Sequence, residues 1–265
     1  MSDGTALDLT IDAKTMEFHY GEGVRGPQQE FRTLDAIRPS LLDPTCSGPS
    51  PVYSIAMDVR RNEDEVDLKA RSLLFGVVAY AAGQLGREPI RSQGHVHAIA
   101  PHSGWSPPEL FEIWEGQAII YAQERVTDEP GRCIAVTAGP GEKIVVPPGW
   151  AHAVINADTK QRMVFGAWCD RQYGFDYSGV RAHGGLAYFP LVEPDGSVGQ
   201  KGSIGWLANN RYQGTGLQQR TSRSYPELGL DPQDSIYAQY RRNPASVEWV
   251  ADPQRFVKLW SNFEP

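Results

Sequence analysis

Short apolar runs and turn-forming residues alternate through the middle of the chain. Over residues 72–168, Gly, Pro, Asp and Asn separate the apolar runs at intervals of about ten residues. The runs are LLFGVVAY, ELFEIWEG, AIIYA, CIAVTA, KIVVPP, AVIN and MVFGAW. Because short strands at regular spacing are typical of antiparallel sandwiches and barrels, the pattern predicts an all-β core.

The segments that precede this core have mixed patterns. Residues 7–20 contain short strand-like pieces, and residues 31–42 place Leu34, Ile37 and Leu41 at helical spacing. Pro39 should interrupt that helix, because proline lacks the amide hydrogen that a helix interior needs. Residues 60–71 are highly charged, and we expect them to form a hairpin loop or a solvated connector.

The segment after Asn210 is first polar and then contains two helix-start signals. Asp231–Pro232 and Asp252–Pro253 each place an N-cap residue before a proline at the first helical position. An apolar stripe follows the second signal, formed by Phe256, Val257, Leu259, Trp260 and Phe263. Because such a stripe must be buried, we expect the segment to pack on the β core or on a partner subunit. We predict one domain, residues 1–265, with its core at about 50–195 and a C-terminal extension at about 205–265.

Composition excludes several classes of function. The 265 residues are 40% hydrophobic and 22% charged, and the net charge of −7 argues against nucleic-acid binding, which needs clustered Lys and Arg. No apolar run approaches the ~20 residues that span a bilayer, and the N-terminal MSDGTALDLTID does not resemble a signal peptide. Three scattered cysteines favour free thiols in a reducing compartment. These features predict a cytoplasmic protein without a membrane partner.

The candidate chemistry lies in two histidine motifs. His95 and His97 are separated by one residue, so on a strand both imidazoles point to the same face and can reach one ion. A second motif downstream has the order G-x5-P-x-G-x2-H-x3-N and is formed by Gly141, Pro147, Gly149, His152 and Asn156. Either motif alone is weak evidence for a metal site, but together they strengthen the prediction.

The two motifs resemble those of the cupin superfamily. The upstream cupin motif, HxH-x(n)-E-x6-G, matches His95, His97, Glu109 and Gly116. This resemblance implies a jelly-roll barrel (a double-stranded β-helix) with a few peripheral helices. It also implies one divalent metal ion held by His95, His97, Glu109 and His152. Three nitrogens and one carboxylate suit Fe, Mn, Ni or Zn and leave coordination positions open for water or substrate.

One departure from the cupin pattern leaves the glutamate ligand open. Eleven residues, AIAPHSGWSPP, separate His97 from Glu109, which is more than cupins usually have. Glu112 is therefore an alternative. Glu109 is favoured because it has the six-residue spacing to Gly116, and only one of the two can face inward, since three residues along a strand reverse the side.

A finer resemblance points to the cupin-type glucose-6-phosphate isomerases of archaea and some bacteria. The segments that carry it are RTLDAIRPSLLD, LLFGVVAYAAGQLGREPIRSQGHVH, VVPPGWAHAVINAD and GFDYSGV. The family implies interconversion of glucose 6-phosphate and fructose 6-phosphate, a step of glycolysis and gluconeogenesis, by a homodimer. Glu109 would be the base of a cis-enediol route, and a hydride shift is the alternative mechanism.

The phosphate pocket differs from the family pattern. Polar family residues are replaced at Val78, Phe111, Cys169 and Phe175, whereas Ser92 keeps a hydroxyl and Gly94 a close backbone amide. We predict that the substrate contacts are made by Ser92, Gly94, Arg91 and Tyr173; Gln93 and Arg171 are further candidates.

Two other functions stay open at this point. The apolar replacements also suit an Fe-dependent cupin oxygenase that acts on a less polar substrate. Loss of the polar pocket residues would suit a sugar-binding cupin without turnover. His102, in the eleven-residue loop, is expected to be an ordinary loop residue, and the Asp176–Tyr177 pair has either a scaffold or a site role.

Overall fold

The computed structural model describes residues 6–172, 174–193, 204–214 and 216–265. The strands are β1 Leu9–Ile11, β2 Phe18–Tyr20, β3 Val24–Arg25, β4 Glu30–Arg32, β5 Tyr53–Met57, β6 Arg60–Arg61, β7 Leu73–Tyr80, β8 Gln84–Leu85, β9 Glu88–Pro89, β10 Val96–His97, β11 Glu109–Glu115, β12 Ala118–Gln123, β13 Cys133–Ala138, β14 Lys143–Val146, β15 Ala151–Asn156, β16 Met163–Asp170, β17 Phe175–Asp176, β18 Tyr188–Val192, β19 Ile204–Ala208 and β20 Leu217–Thr221. The α-helices are α1 Leu34–Ile37, α2 Glu65–Ala70, α3 Ser178–Ala182, α4 Ile236–Arg242, α5 Glu248–Ala251 and α6 Val257–Trp260.

Two sheets face each other and form the barrel. The six-stranded sheet has the order β14-β11-β16-β7-β5-β4, and the four-stranded sheet has the order β15-β12-β13-β20. Neighbouring strands are antiparallel, except that β20 runs parallel to β13. Apolar side chains from both sheets meet in one core between them. The predicted all-β jelly-roll barrel with few peripheral helices is confirmed.

Strands β7 and β16 of the six-stranded sheet are buried on both faces. In β7, Leu74 and Val78 point into the barrel core, whereas Phe75 and Val77 point outward into a second apolar cluster. Strand β16 has the same arrangement, with Phe165 inside the barrel and its neighbours outside. A strand covered on both faces needs apolar residues at successive positions. The continuous runs LLFGVVAY and MVFGAW have this physical cause.

The C-terminal extension covers the outer face of the six-stranded sheet. Its helix α4 contributes Ile236, Tyr237 and Tyr240, and α5 contributes Trp249 and Val250, to the cluster that contains Phe75 and Trp168. Trp168 stacks on Tyr237 with 5.4 Å between ring centroids. Of the predicted stripe, Phe263 is buried, whereas Val257 is half exposed and lies outside the cluster.

Some local predictions are wrong in detail. Helix α4 begins after Ser235, whose hydroxyl accepts a hydrogen bond from the Ala238 amide, and not at Asp231, whose carboxylate caps a turn through the Gln233 amide. The charged residues 60–71 form β6, a 3₁₀ turn and α2 instead of an open connector. Pro39 restarts the first helix as a 3₁₀ turn, as expected. Within the described ranges, no helix has both the length and the apolar character needed to cross a bilayer.

Candidate metal centre

Two strands bring the histidines of the separate motifs together. His95 and His152 form an antiparallel bridge, in which the His95 amide donates to the His152 carbonyl at 3.1 Å and the His152 amide donates back at 2.9 Å. Gly94 precedes this bridge with a φ of +86°, and a Cβ there would lie 2.7 Å from Leu186 Cδ1. Both the backbone conformation and the lack of space therefore favour glycine at this position.

Glu109 completes the cluster from the first position of β11. Its Oε2 lies 3.0 Å from His152 Nε2 and 3.3 Å from His97 Nε2. One ligand atom from each of His95, His97, Glu109 and His152 lies within 4.8 Å of the others. The structure thus brings together all four residues that the two motifs select.

Glu112 points to the opposite face of the same strand. Its carboxylate lies 3.8 Å from Lys143 Nζ and accepts a hydrogen bond from Trp114 Nε1 at 3.1 Å. It therefore belongs to the outer cluster, and Glu109 is the glutamate inside the barrel. The reversal of side over three residues follows from the strand geometry.

The donor atoms fit a metal ion. The Nε2 atoms of His95 and His97 are buried and have no hydrogen-bond partner. His97 Nδ1 is 2.9 Å from the Pro107 carbonyl, and because a carbonyl only accepts, Nδ1 carries the proton and Nε2 keeps its lone pair. His152 Nδ1 likewise faces the Trp150 carbonyl at 3.3 Å. With that tautomer, His152 Nε2 and the carboxylate of Glu109 are two acceptors in contact, which a cation between them would stabilise.

The surroundings also set the charge states. Burial, with His152 and His97 nearby, lowers the pKa of His95 well below its usual value. Burial alone would raise the pKa of Glu109, but the imidazoles of His152 and His97 beside the carboxylate outweigh burial and lower it. For His97, burial would lower the pKa, but Glu109 and the Pro107 carbonyl raise it. A neutral His95 and an ionised Glu109 are the forms that bind a metal.

Three members of the cluster, His95, Glu109 and His152, line an open cavity. The four positions that differ from the family pattern all line it: Val78, Phe111, Cys169 and Phe175. Cys169 Sγ donates to Glu109 Oε1 at 3.3 Å, so the thiol contacts the predicted base. Apart from this contact, the four positions give the cavity an apolar wall.

Only some of the residues predicted to contact substrate line the cavity. Ser92 and Gly94 line the cavity. Arg91 does not line it; its buried guanidinium lies 2.7 Å from Glu88 Oε1 and donates to the Ser40 carbonyl at 2.6 Å. Tyr173 lies outside the described residues. Of the further candidates, Gln93 lines the cavity.

Sequence reasoning missed two polar residues in the cavity wall, Arg32 and Tyr53. They are cross-strand partners on β4 and β5. Neither belongs to the two histidine motifs, and although Arg32 begins the segment RTLDAIRPSLLD, nothing in that segment assigns it to the site. Their place in the cavity depends on the pairing of β4 and β5 with the rest of the six-stranded sheet.

The eleven-residue loop, residues 98–108, joins the metal cluster to the C-terminal extension. Pro107 accepts from the His97 ring, and Ser106 Oγ donates to the His97 carbonyl at 2.6 Å. At the other end of the loop, His102 Nε2 is 2.9 Å from the Ala251 carbonyl and 3.3 Å from Asp170 Oδ2. His102 is therefore a tethering residue between the loop and α5, and not an unattached loop residue.

An antiparallel barrel with three histidines and one glutamate on its inner wall defines the protein as a cupin. The sequence profile of the family described as "Glucose-6-phosphate isomerase (GPI)" matches residues 42–204. The chain belongs to this family, which is a family of sugar-phosphate isomerases.

Curated relatives agree with the family. The chain is 28% identical over 179 residues to the glucose-6-phosphate isomerase of Thermococcus kodakarensis, covering 66% of this chain and 86% of the relative. It is 26% identical over 180 residues to that of Pyrococcus horikoshii, with the same coverage of 66% and 86%.

Solved structures overlap with the chain less completely. A structure of oxalate oxidase has a TM-score of 0.35 and 14% identity, covering 49% of this chain and 57% of its own. The vicilin of Corylus avellana has a TM-score of 0.36 and 12% identity, covering 49% and 33%. Both TM-scores are below 0.5, so these likenesses do not bear on the assignment.

Proposed function

We propose that the protein interconverts glucose 6-phosphate and fructose 6-phosphate with one divalent metal ion bound by His95, His97, Glu109 and His152. The observation that carries the proposal is the convergence of these four donor atoms within 4.8 Å, at a cavity that His95, Glu109 and His152 line. The names of the curated relatives support the substrate pair. Family membership favours an isomerase over an oxygenase or a binding protein without turnover.

The metal and the protein supply different parts of the chemistry. A bound divalent ion would act as a Lewis acid on the C1 and C2 oxygens of the open-chain sugar. His97 is held by the Pro107 carbonyl, so its Nε2 is oriented before any ligand binds. The apolar side chains of Val78 and Phe111 exclude water from the wall around Glu109. Exclusion of water strengthens electrostatic interactions in the site.

Glu109 is the proposed base for transfer of a proton between C1 and C2. Its Oε1 accepts from Cys169 Sγ, which fixes the plane of the carboxylate. A direct hydride shift between the two carbons would need no base at carbon, only transfer of a proton from O2 to O1. Turnover in D₂O separates the routes, because a shared base exchanges the transferred hydrogen with solvent and a hydride shift retains it.

The test of the proposed function is an isomerase assay on purified protein, first stripped of metal and then reloaded. We expect no turnover of fructose 6-phosphate after stripping and recovery with Mn, Fe, Ni or Zn. An Arg255→Ala variant, which loses ion pairs of an exposed guanidinium with Glu248 and Asp252, should behave as the unaltered protein and serves as the control. Absence of glucose 6-phosphate with every metal would contradict the proposal. Homodimer formation and a cytoplasmic location stay predictions from the sequence.

A further inference from the structure

We infer that Arg32, together with Tyr53, Tyr177 and Gln93, forms an anion subsite that binds the phosphate group of the substrate. This inference rests on the proposed function for the identity of the phosphate-bearing ligand. The subsite itself rests on the geometry of the cavity wall.

Arg32 is the one arginine or lysine among the described residues that line the cavity. Its Nε is buried and has no hydrogen-bond partner, although the side chain as a whole remains 28% exposed. The nearest carboxylate belongs to Glu30, 3.7 Å away and itself 76% exposed. An ion pair of this length with an exposed partner is weak. The guanidinium therefore retains donors for a ligand.

The neighbours of Arg32 are also hydrogen-bond donors. The phenols of Tyr53 and Tyr177 are its principal electrostatic partners, Tyr53 is also hydrogen-bonded to Arg32, and both tyrosines line the cavity. Gln93 Oε1 accepts from Arg181 Nε at 3.1 Å, and the Gln93 side chain also hydrogen-bonds the Tyr177 phenol, which links the amide to the same group of donors. A guanidinium, two hydroxyls and an amide NH₂ together match the acceptor oxygens of a phosphate.

The subsite is close to the metal cluster without being part of it. The ring of Tyr177 lies 6.0 Å from the ring of His95, and the guanidinium of Arg181 lies 5.1 Å from the Tyr177 ring. Tyr177 also interacts electrostatically with Arg32, so it neighbours both the subsite and the cluster.

Arg32 also supplies a hydrogen-bond donor where polar residues of the family pattern are replaced by apolar ones. The apolar side chains of Val78, Phe111 and Phe175 offer no donor to an anion. Arg91 and Arg171 are engaged elsewhere, with Glu88 and Asp58 respectively. Arg32 lies before residue 42, where the family profile begins to match, so this contact comes from a segment outside the matched region.

The first test measures binding of inorganic phosphate by calorimetry, which needs no turnover. Arg32→Ala, Arg32→Lys and the control Arg255→Ala are compared with the unaltered protein, each with and without metal. We expect Arg32→Ala to weaken phosphate binding about 10- to 100-fold, as for loss of a charge-assisted hydrogen bond, and Arg32→Lys to recover part of it. Metal content should not change, which separates this site from phosphate bound to the metal.

The second test compares kcat/KM for fructose 6-phosphate with kcat/KM for fructose. The ratio should fall about 10- to 100-fold in Arg32→Ala, mainly through KM for the phosphorylated sugar. Unchanged phosphate affinity and an unchanged ratio in Arg32→Ala would overturn the inference. Phosphate binding that depends on Arg32 in a protein without isomerase activity would refute the proposed function and leave the anion subsite standing.

Discussion

The two faces of the six-stranded sheet differ in how the polar groups buried there are paired. On the outer face, the C-terminal extension supplies partners to polar groups, as where Trp168 Nε1 donates to the Ile236 carbonyl at 3.2 Å. The inner face carries Glu109 and borders the cavity, where buried nitrogens of His95 and His97 are without hydrogen-bond partners. Buried polar groups are costly unless they are paired. The outer face therefore contributes stability, whereas the cavity at the inner face keeps metal-ligand atoms available.

Strand β11 shows this difference within one element. Glu109 points inward to the histidines, and Glu112 points outward to Lys143 and Trp114. Substitutions on the two faces should therefore separate into effects on activity and effects on stability.

The largest expected effect is that of Glu109→Gln. Loss of the carboxylate charge should weaken metal binding and reduce kcat/KM about 10²- to 10⁴-fold, the range for loss of a general base. Metal content by elemental analysis and steady-state assays measure both quantities. The matched variant Glu112→Gln should keep its metal and its activity. A Glu109→Gln protein with normal metal content and normal turnover would show that Glu109 is neither an essential ligand nor the base.

Trp249→Ala should affect the outer face. Trp249, on α5 of the extension, is 2% exposed and packs in the outer cluster, so its truncation should lower the free energy of unfolding by about 3–5 kcal/mol. Denaturant titration measures the change. Val257→Ala, at a position that is 50% exposed, is the control and should change stability little. The kcat of the folded fraction should change far less in Trp249→Ala than in Glu109→Gln, and an equal loss would break the division between the faces.

His102→Ala should affect both stability and metal binding. It removes the contact between the loop and the Ala251 carbonyl, so we expect a loss of about 1 kcal/mol in stability. Because the same loop holds His97 through Pro107, metal affinity should also fall, by up to about 10-fold. Metal titration and thermal unfolding provide the measurements. His19→Ala, at an exposed position, should change neither quantity.

The smallest effect concerns pH and Glu112. Burial raises the pKa of this carboxyl above its usual value of 4.5, and Lys143 offsets only part of the increase. The folded state then binds the proton more tightly than the unfolded state. The stabilisation is fully present below pH 4.5 and is lost as pH rises through the folded-state pKa. Glu112→Gln should lack this decline in unfolding free energy as pH rises above 4.5; an unchanged profile would contradict the assignment.

Most strands could be predicted from the sequence, because the signal is local. Continuous apolar runs identify β7 and β16, and the spacing of His95 and His97 places both rings on one face. Helix starts were less predictable. Both Asp231 and Ser235 are suitable caps, and the choice of Ser235 depends on where α4 packs against Trp168.

The sequence by itself determined the barrel class, the two histidine motifs and the family that they resemble. Only the tertiary structure decided that Glu109 faces the histidines, that Arg91 is engaged by Glu88, and that Arg32 enters the cavity wall. The physical reason is how far apart along the chain the interacting residues lie. Strand formation and side-chain alternation depend on residues a few positions apart, whereas these three outcomes depend on strand register and on pairing between segments that are distant along the chain.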